Sequence, residues 1–185
     1  KCQETIRSVT ESISPLLLPE IQLRLVTSNS PWWRLTPEDL QELGIPDPYW
    51  AFVWPGGHAL ARYILDHPET VRGKSVIDFG SGSGLLAMAA CLSGAAHVTA
   101  TDIDPWSIEA CRINLEHFPV HLTAEDWIGR SVEPGTVILC GDMSYEKALT
   151  ARLLQWFTNL HDAEIFIGDP ARGYLPKDRI DVLSR

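Results

Sequence analysis

The stretch VIDFGSGSG, residues 76–84, constrains the fold more than any other part of the chain. Apolar residues around a single acid, ending in glycines spaced G-x-G-x-G, read as a buried strand running straight into a tight turn. The chain from residue 56 onward keeps the matching rhythm. A helix through GHALARYILDH stops at Pro68, SVIDF is the strand, and LLAMAACLSG is a helix closed by Gly94. Then come a strand HVTATDI, a helix PWSIEACRINLEHF, a short strand near VHL, a strand TVILCGD, a helix EKALTARLLQWFTNL and a strand EIFIGD. Strands alternating with helices of this length imply right-handed crossovers, so the expected fold is α/β, a Rossmann-like doubly wound and mostly parallel sheet. Residues 1–55 are more polar and punctuated by proline. They are expected to form an N-terminal helical extension packed on the main domain, residues 56–185, with a short helix in TPEDLQELG capped by Thr36 and ended by Gly44.

In a doubly wound sheet the ligand sits beyond the carboxyl ends of the strands. Gly80, Gly82 and Gly84, with Ser81 among them, leave little side chain there, so a nucleotide-like body can press against bare backbone. Asp102 falls at the end of the next strand, where a carboxylate can accept both hydroxyl protons of a ribose. The spacing differs from the G-x-G-x-x-G of dinucleotide sites. Asp78 points the same way, because a buried acid needs a donor or a cation beside it. S-adenosylmethionine brings an ammonium and a sulfonium, whereas NAD brings a diphosphate that Asp78 would repel. Asp104 before Pro105 reads as a helix cap.

The balance of 15 Lys and Arg against 24 Asp and Glu, a net charge of −9, opposes binding to a phosphate backbone, so nucleic acid is not the expected partner. A cationic ligand or a lysine-bearing protein surface suits this field better. No run of eighteen apolar residues appears, so no membrane association is expected. The cysteines at 2, 91, 111 and 140 form no C-x-x-C pair, and the six histidines form no ligand pattern. Neither a disulfide framework nor a metal site is expected, and a reducing compartment is. The first residues lack a signal-peptide pattern.

The motifs VIDFGSGSG and TDIDP resemble those of the seven-strand, or class I, S-adenosylmethionine-dependent methyltransferases. Together with PEIQLRL, DPYWAFVWPGGHALARYILDHP, GDMSY and IGDPAR, they resemble the electron transfer flavoprotein β-subunit lysine methyltransferases, animal mitochondrial or bacterial, over most of residues 19–173. The resemblance implies S-adenosylmethionine as cofactor. Asp78 and the 80–84 loop would hold its methionine end, Asp102 with Ile103 its ribose, Asp126 and Trp127 its adenine, and Trp54 would lie beside it. The D-x-x-Y element implies Asp142 and Tyr145 as catalytic, Asp142 orienting the substrate amine and Tyr145 flanking it. Each has a plainer alternative. Asp142 could cap the helix that follows, the aromatics at 49–54 could be core, and Asp126 with Trp127 could be solvated loop.

The implied activity is protein-lysine N-methylation of the electron transfer flavoprotein β subunit. Ribosomal protein, another protein or a small molecule as substrate, and a non-catalytic nucleotide-binding module, are the alternatives. The adenine-amino methyltransferases carry Asn-Pro-Pro-aromatic where this chain has DMSY. The implied compartment is the cytoplasm for a bacterial form and the mitochondrial matrix for an animal one, not a secreted location. The family fold carries a sixth and a seventh strand, which either lie outside residues 1–185 or leave the sheet incomplete, and the connection from INLE to HFPVHL is short for the family.

Overall fold

A computed structural model describes residues 1–176, 178 and 180–183. Five parallel strands form the main sheet: β3 (Ser75–Phe79), β4 (His97–Thr101), β5 (Val120–Thr123), β6 (Val137–Gly141) and β7 (Glu164–Gly168). Their order is β5-β4-β3-β6-β7, all neighbours parallel, as the sequence predicts. β3 lies at the centre, with Asp78 in register with Ala100 on one side and Leu139 on the other.

Period-2 alternation sorts the strand residues onto two faces. Val76, Val98, Val137 and Leu139 join a core formed with helices α3 (Pro55–Asp66), α4 (Leu85–Leu92) and α5 (Pro105–Asn114). Ile77, Phe79, Ile138 and Cys140 pack with Leu153 and Trp156 of α6 (Lys147–Thr158) on the other face. Both faces are covered, which explains why β3 and β6 read as near-continuous apolar runs.

The N-terminal residues contain more structure than their composition suggests. Helix α1 (Cys2–Val9) leads into an antiparallel pair, β1 (Glu11–Ile13) and β2 (Leu23–Leu25). Helix α2 (Pro37–Glu42) carries the expected Thr36 cap, completed as a capping box by Asp39. Leu18, Ile21, Leu23 and Leu25 are buried in the same core as α3 and α4, so residues 1–55 and 56–185 share one apolar interior. Trp50, wholly buried, stacks on Trp106 of α5 and ties the 3-10 turn Tyr49–Ala51 to the main sheet's covering layer.

Candidate active site

The strand order reverses beside β3, so the loops after β3, β4 and β6 meet over one crevice. Gly80 and Ser81 donate to Thr101 O at 2.9 and 3.0 Å, fixing the turn to the end of β4. Gly82 stands at φ +51 and donates its N–H to Asp102 Oδ2 at 2.9 Å. A Cβ at Gly82 would meet nothing nearer than Trp50 Cα at 3.8 Å, so the space before it is open. At Gly80, by contrast, a Cβ would strike the thioether of Met143, which lies across the turn from the loop after β6. Gly84 begins α4 in the left-handed region against Leu115 and Cys111, and Ser81 is buried beside the Cys111 thiol.

Asp102 is half-buried with its other oxygen, Oδ1, accepting from Asp104 N at 2.9 Å. Burial pushes its carboxyl above the usual range, opposed by those two backbone donors. Ile103, next in the chain, is exposed. Asp104 caps α5 through Trp106 N, as the sequence predicts.

Asp78 departs from the expectation. Its side chain is 1% exposed and accepts from Ala87 N of α4 at 2.9 Å, so the structure ties strand to helix through it and does not bring its carboxylate to the crevice. The reason is period: Asp78 shares the face of Val76, under α4. Burial raises its pKa to about 7.

The other half of the crevice is built on glycine contacts. The amino end of α3 lies directly on the ends of β6 and β7: a Cβ at Gly141 would stand 2.7 Å from Gly57 Cα, and one at Gly56 or Gly168 would strike the other's carbonyl. This close approach is the reason for the W-P-G-G sequence. Asp142 follows β6 with φ +58, a strained conformation for a residue other than glycine, and donates its N–H to Gly168 O at 2.8 Å. Its Oδ2 accepts from Gly57 N at 2.6 Å, so it caps α3 across the sheet end. The alternative reading, a cap on the following helix, is not what the structure shows, since α6 begins after Glu146 with no side-chain cap. Asp142 Oδ1 is buried and receives no well-angled hydrogen bond, with Arg172 Nη1 standing 2.8 Å away as an ion pair.

Aromatics rim this half. Tyr145 is half-exposed and stacks on Tyr49, which in turn packs against Trp54. Trp54 donates its indole N–H to Tyr49 O at 2.9 Å and leaves 40% of its surface exposed. Burial raises the Tyr145 phenol, and the charges of Tyr49, Glu146 and Asp102 push it the same way. Trp127 is half-buried against the α6 face with Arg130 stacked 5.5 Å over its ring. Asp126 is exposed, engaged by Ile128 N and Arg152, so this pair forms a polar loop whose carboxylate is already partnered.

The sequence reading omitted three residues that complete the Asp142 environment: Ser144, Asp169 and Arg172. Ser144 Oγ donates to Asp169 Oδ2, and Arg172 N donates to Asp169 Oδ1 at 2.9 Å. Nothing local in IGDPAR marks them: the turn that presents Arg172, with Ala171 at φ +64, is set by the fold.

A glycine turn open in front of Gly82, a ribose-competent Asp102 and an acidic second half fit S-adenosylmethionine. A diphosphate finds no Lys or Arg on residues 80–84 or 102–104 to receive it. The comparisons agree. The family profile for ribosomal protein L11 methyltransferase (PrmA) matches residues 25–137. The electron transfer flavoprotein beta subunit lysine methyltransferase of Xenopus laevis is 46% identical over 169 residues, 88% of this chain and 68% of that protein. The protein of that name from Homo sapiens is 42% identical over 165 residues, 84% of this chain and 61% of its own length. The chain thus spans about two thirds or less of the relatives it matches. Trm5b from Pyrococcus abyssi shares the fold, with TM-score 0.56 and 16% identity over 86% of this chain and 40% of that one. The chain belongs to the electron transfer flavoprotein beta subunit lysine methyltransferase family of class I S-adenosylmethionine-dependent methyltransferases.

Proposed function

We propose that this chain transfers methyl groups from S-adenosylmethionine to lysine side chains of the electron transfer flavoprotein β subunit. The observation that carries the reading is Asp142: a buried carboxylate at the end of β6, one oxygen holding Gly57 N and the other paired with Arg172, on a loop whose Met143 lies on the glycine turn. Gly80, Ser81, Gly82 and Gly84 would cradle the cofactor and Asp102 its ribose, with Trp54 at the rim. When bound, the cofactor supplies a methyl group already activated by its sulfonium. The protein's part is alignment and a neutral nucleophile. A free lysine has a pKa of about 10.4, so its amine must be oriented and deprotonated locally. The Asp142 carboxylate would orient the amine and disperse the charge that grows on nitrogen, and Tyr145 would flank it at the rim.

The test is incubation with tritiated S-adenosylmethionine and, separately, the flavoprotein β subunit, ribosomal protein L11 and ribosomal RNA. Label recovered as methyl-lysine in the β subunit is the expected result. Label confined to L11 would replace the substrate, and label confined to RNA would overturn the lysine chemistry.

A further inference from the structure

Arg172 places a guanidinium between two buried carboxylates, 2.8 Å from Asp142 Oδ1 and 3.7 Å from Asp169 Oδ2. The side chains of those acids are 8% and 7% exposed, and that of Arg172 is 25% exposed. The contact with Asp142 is close but poorly directed. Arg172 Nη1 and Asp142 Oδ1 are both buried, and neither makes a well-angled hydrogen bond. The pair balances charge at the end of β6, where the other oxygen of Asp142 is fixed by Gly57 N. The turn that presents Arg172 is itself constrained, with Ala171 at φ +64 and Asp169 Oδ1 holding Arg172 N. Two strained backbone positions, Asp142 and Ala171, thus flank one ion pair.

We propose that Arg172 is a positioning residue that, through its ion pair with Asp142 and Asp169, keeps the bound substrate lysine in its neutral, nucleophilic form. The proposal rests on the lysine methyl transfer put forward above. Two carboxylates alone would hold an ammonium and bury the lone pair that must attack. One guanidinium brings the cluster from two negative charges to one, which weakens the hold on the proton while leaving one net negative charge beside the amine. The transfer balances simply: the Nζ lone pair forms the new N–C bond as the C–S bond breaks, sulfur keeps the bonding pair, and the nitrogen's proton leaves to water.

Other charged or titratable groups face this cluster. The amino end of α3 presents Gly57 N–H, and His58 beyond it is turned to Leu16 O. On β6 the Cys140 thiol is pushed far up by burial, then by Asp78, Asp142 and Asp169, and remains neutral. Tyr145 and Glu146 follow Asp142 on its own segment, and Tyr49 and Asp102 reach Tyr145 across the rim. Among the described residues, Arg172 is the cation paired with Asp142.

The test is the pH dependence of kcat for methyl transfer to the flavoprotein β subunit, which reports groups in the bound complex. Arg172→Gln should move the ascending limb up by about one pH unit or more and lower kcat at pH 7 by about tenfold, with KM unchanged or smaller. Asp169→Asn removes a negative charge and should move the limb down. Arg172→Lys should restore the wild-type limb in large part, and S-adenosylmethionine affinity, by calorimetry, should stay within a few-fold throughout. Opposite shifts cannot come from loss of structure, and the Asp169→Asn shift decides the matter if Arg172→Gln fails to fold. Limbs that stay put, or move together, overturn the role of Arg172. No transfer by the wild-type chain overturns the lysine methyl transfer itself, and this inference with it.

Discussion

Asp78 and Asp102 are both acids at a strand end whose carboxyls burial pushes above the usual range, but one lies under a helix and the other orders the glycine turn. Asp78 lies beneath α4 with one backbone donor, and its pKa of about 7 stands above the ordinary 3.8. Between those values the folded chain retains a proton that the unfolded chain has released. Stability therefore falls as pH rises through this window and levels off above it. Asp78→Asn keeps the oxygen that accepts from Ala87 N and removes the titration. Urea melts should show the variant gaining on wild type from about pH 4 to pH 7, by about 2–4 kcal/mol, and holding that gain at higher pH. A difference that is flat across pH would contradict the buried, protonatable Asp78. Asp102 faces the crevice, and its two oxygens order the turn through Gly82 N and Asp104 N. Asp102→Ala should weaken S-adenosylmethionine binding by about tenfold or more, since charge-assisted hydrogen bonds contribute about 1.5–3 kcal/mol before water compensates. Calorimetry with both S-adenosylmethionine and NAD checks this, and tight NAD binding by the wild type without S-adenosylmethionine binding would contradict the cofactor reading.

At the scale of elements, α3 does the most to assemble the second half of the site. Gly56 and Gly57 let its amino end rest on Gly168 and Gly141, where its N–H groups reach Asp142. Gly168→Ala should force α3 away, destabilise the chain by about 1–3 kcal/mol or more, and lower kcat by about 10²-fold as Asp142 loses alignment. Gly44→Ala is the control: Gly44 has φ +65 with nothing within 4 Å, so it should cost about 1 kcal/mol and spare the rate. Equal effects in urea melts and rate assays would sink the α3 argument. The sheet was legible because strands buried on both faces, such as β3 and β6, and helices such as α4 closed at Gly94 carry strong local signals. The hairpin of β1 and β2 was not, because three-residue strands reading ESI and LRL are too short to show a period. The cofactor turn was legible for the same local reason, glycines followed by an acid at the next strand end. Asp142 as an acid at the crevice was legible too, but its partners Gly57, Asp169 and Arg172 were not. They come from two separate segments, the amino end of α3 and the turn after β7, that only the fold brings together.

Across the whole molecule, a net charge of −9 favours a partner surface rich in lysine. Turnover on the flavoprotein β subunit should fall as ionic strength rises to physiological levels, because exposed charges are screened over about 8–10 Å, while cofactor affinity changes less. A KM insensitive to salt would remove the steering argument. The chain spans about two thirds or less of its relatives, yet residues 1–176 already join the glycine turn, Asp102, Asp142 and Arg172 around one crevice. The claim that these form a single lysine-methylating site is tested most directly by peptide mapping of the β subunit. Its methylation is followed by mass spectrometry with wild-type chain and with Asp142→Asn, at matched cofactor occupancy. The account predicts methyl groups on lysine side chains with the wild type, and appearance at least about 10²-fold slower with the folded, cofactor-binding variant. Wild-type rates from Asp142→Asn, or methyl groups on residues other than lysine, would contradict it.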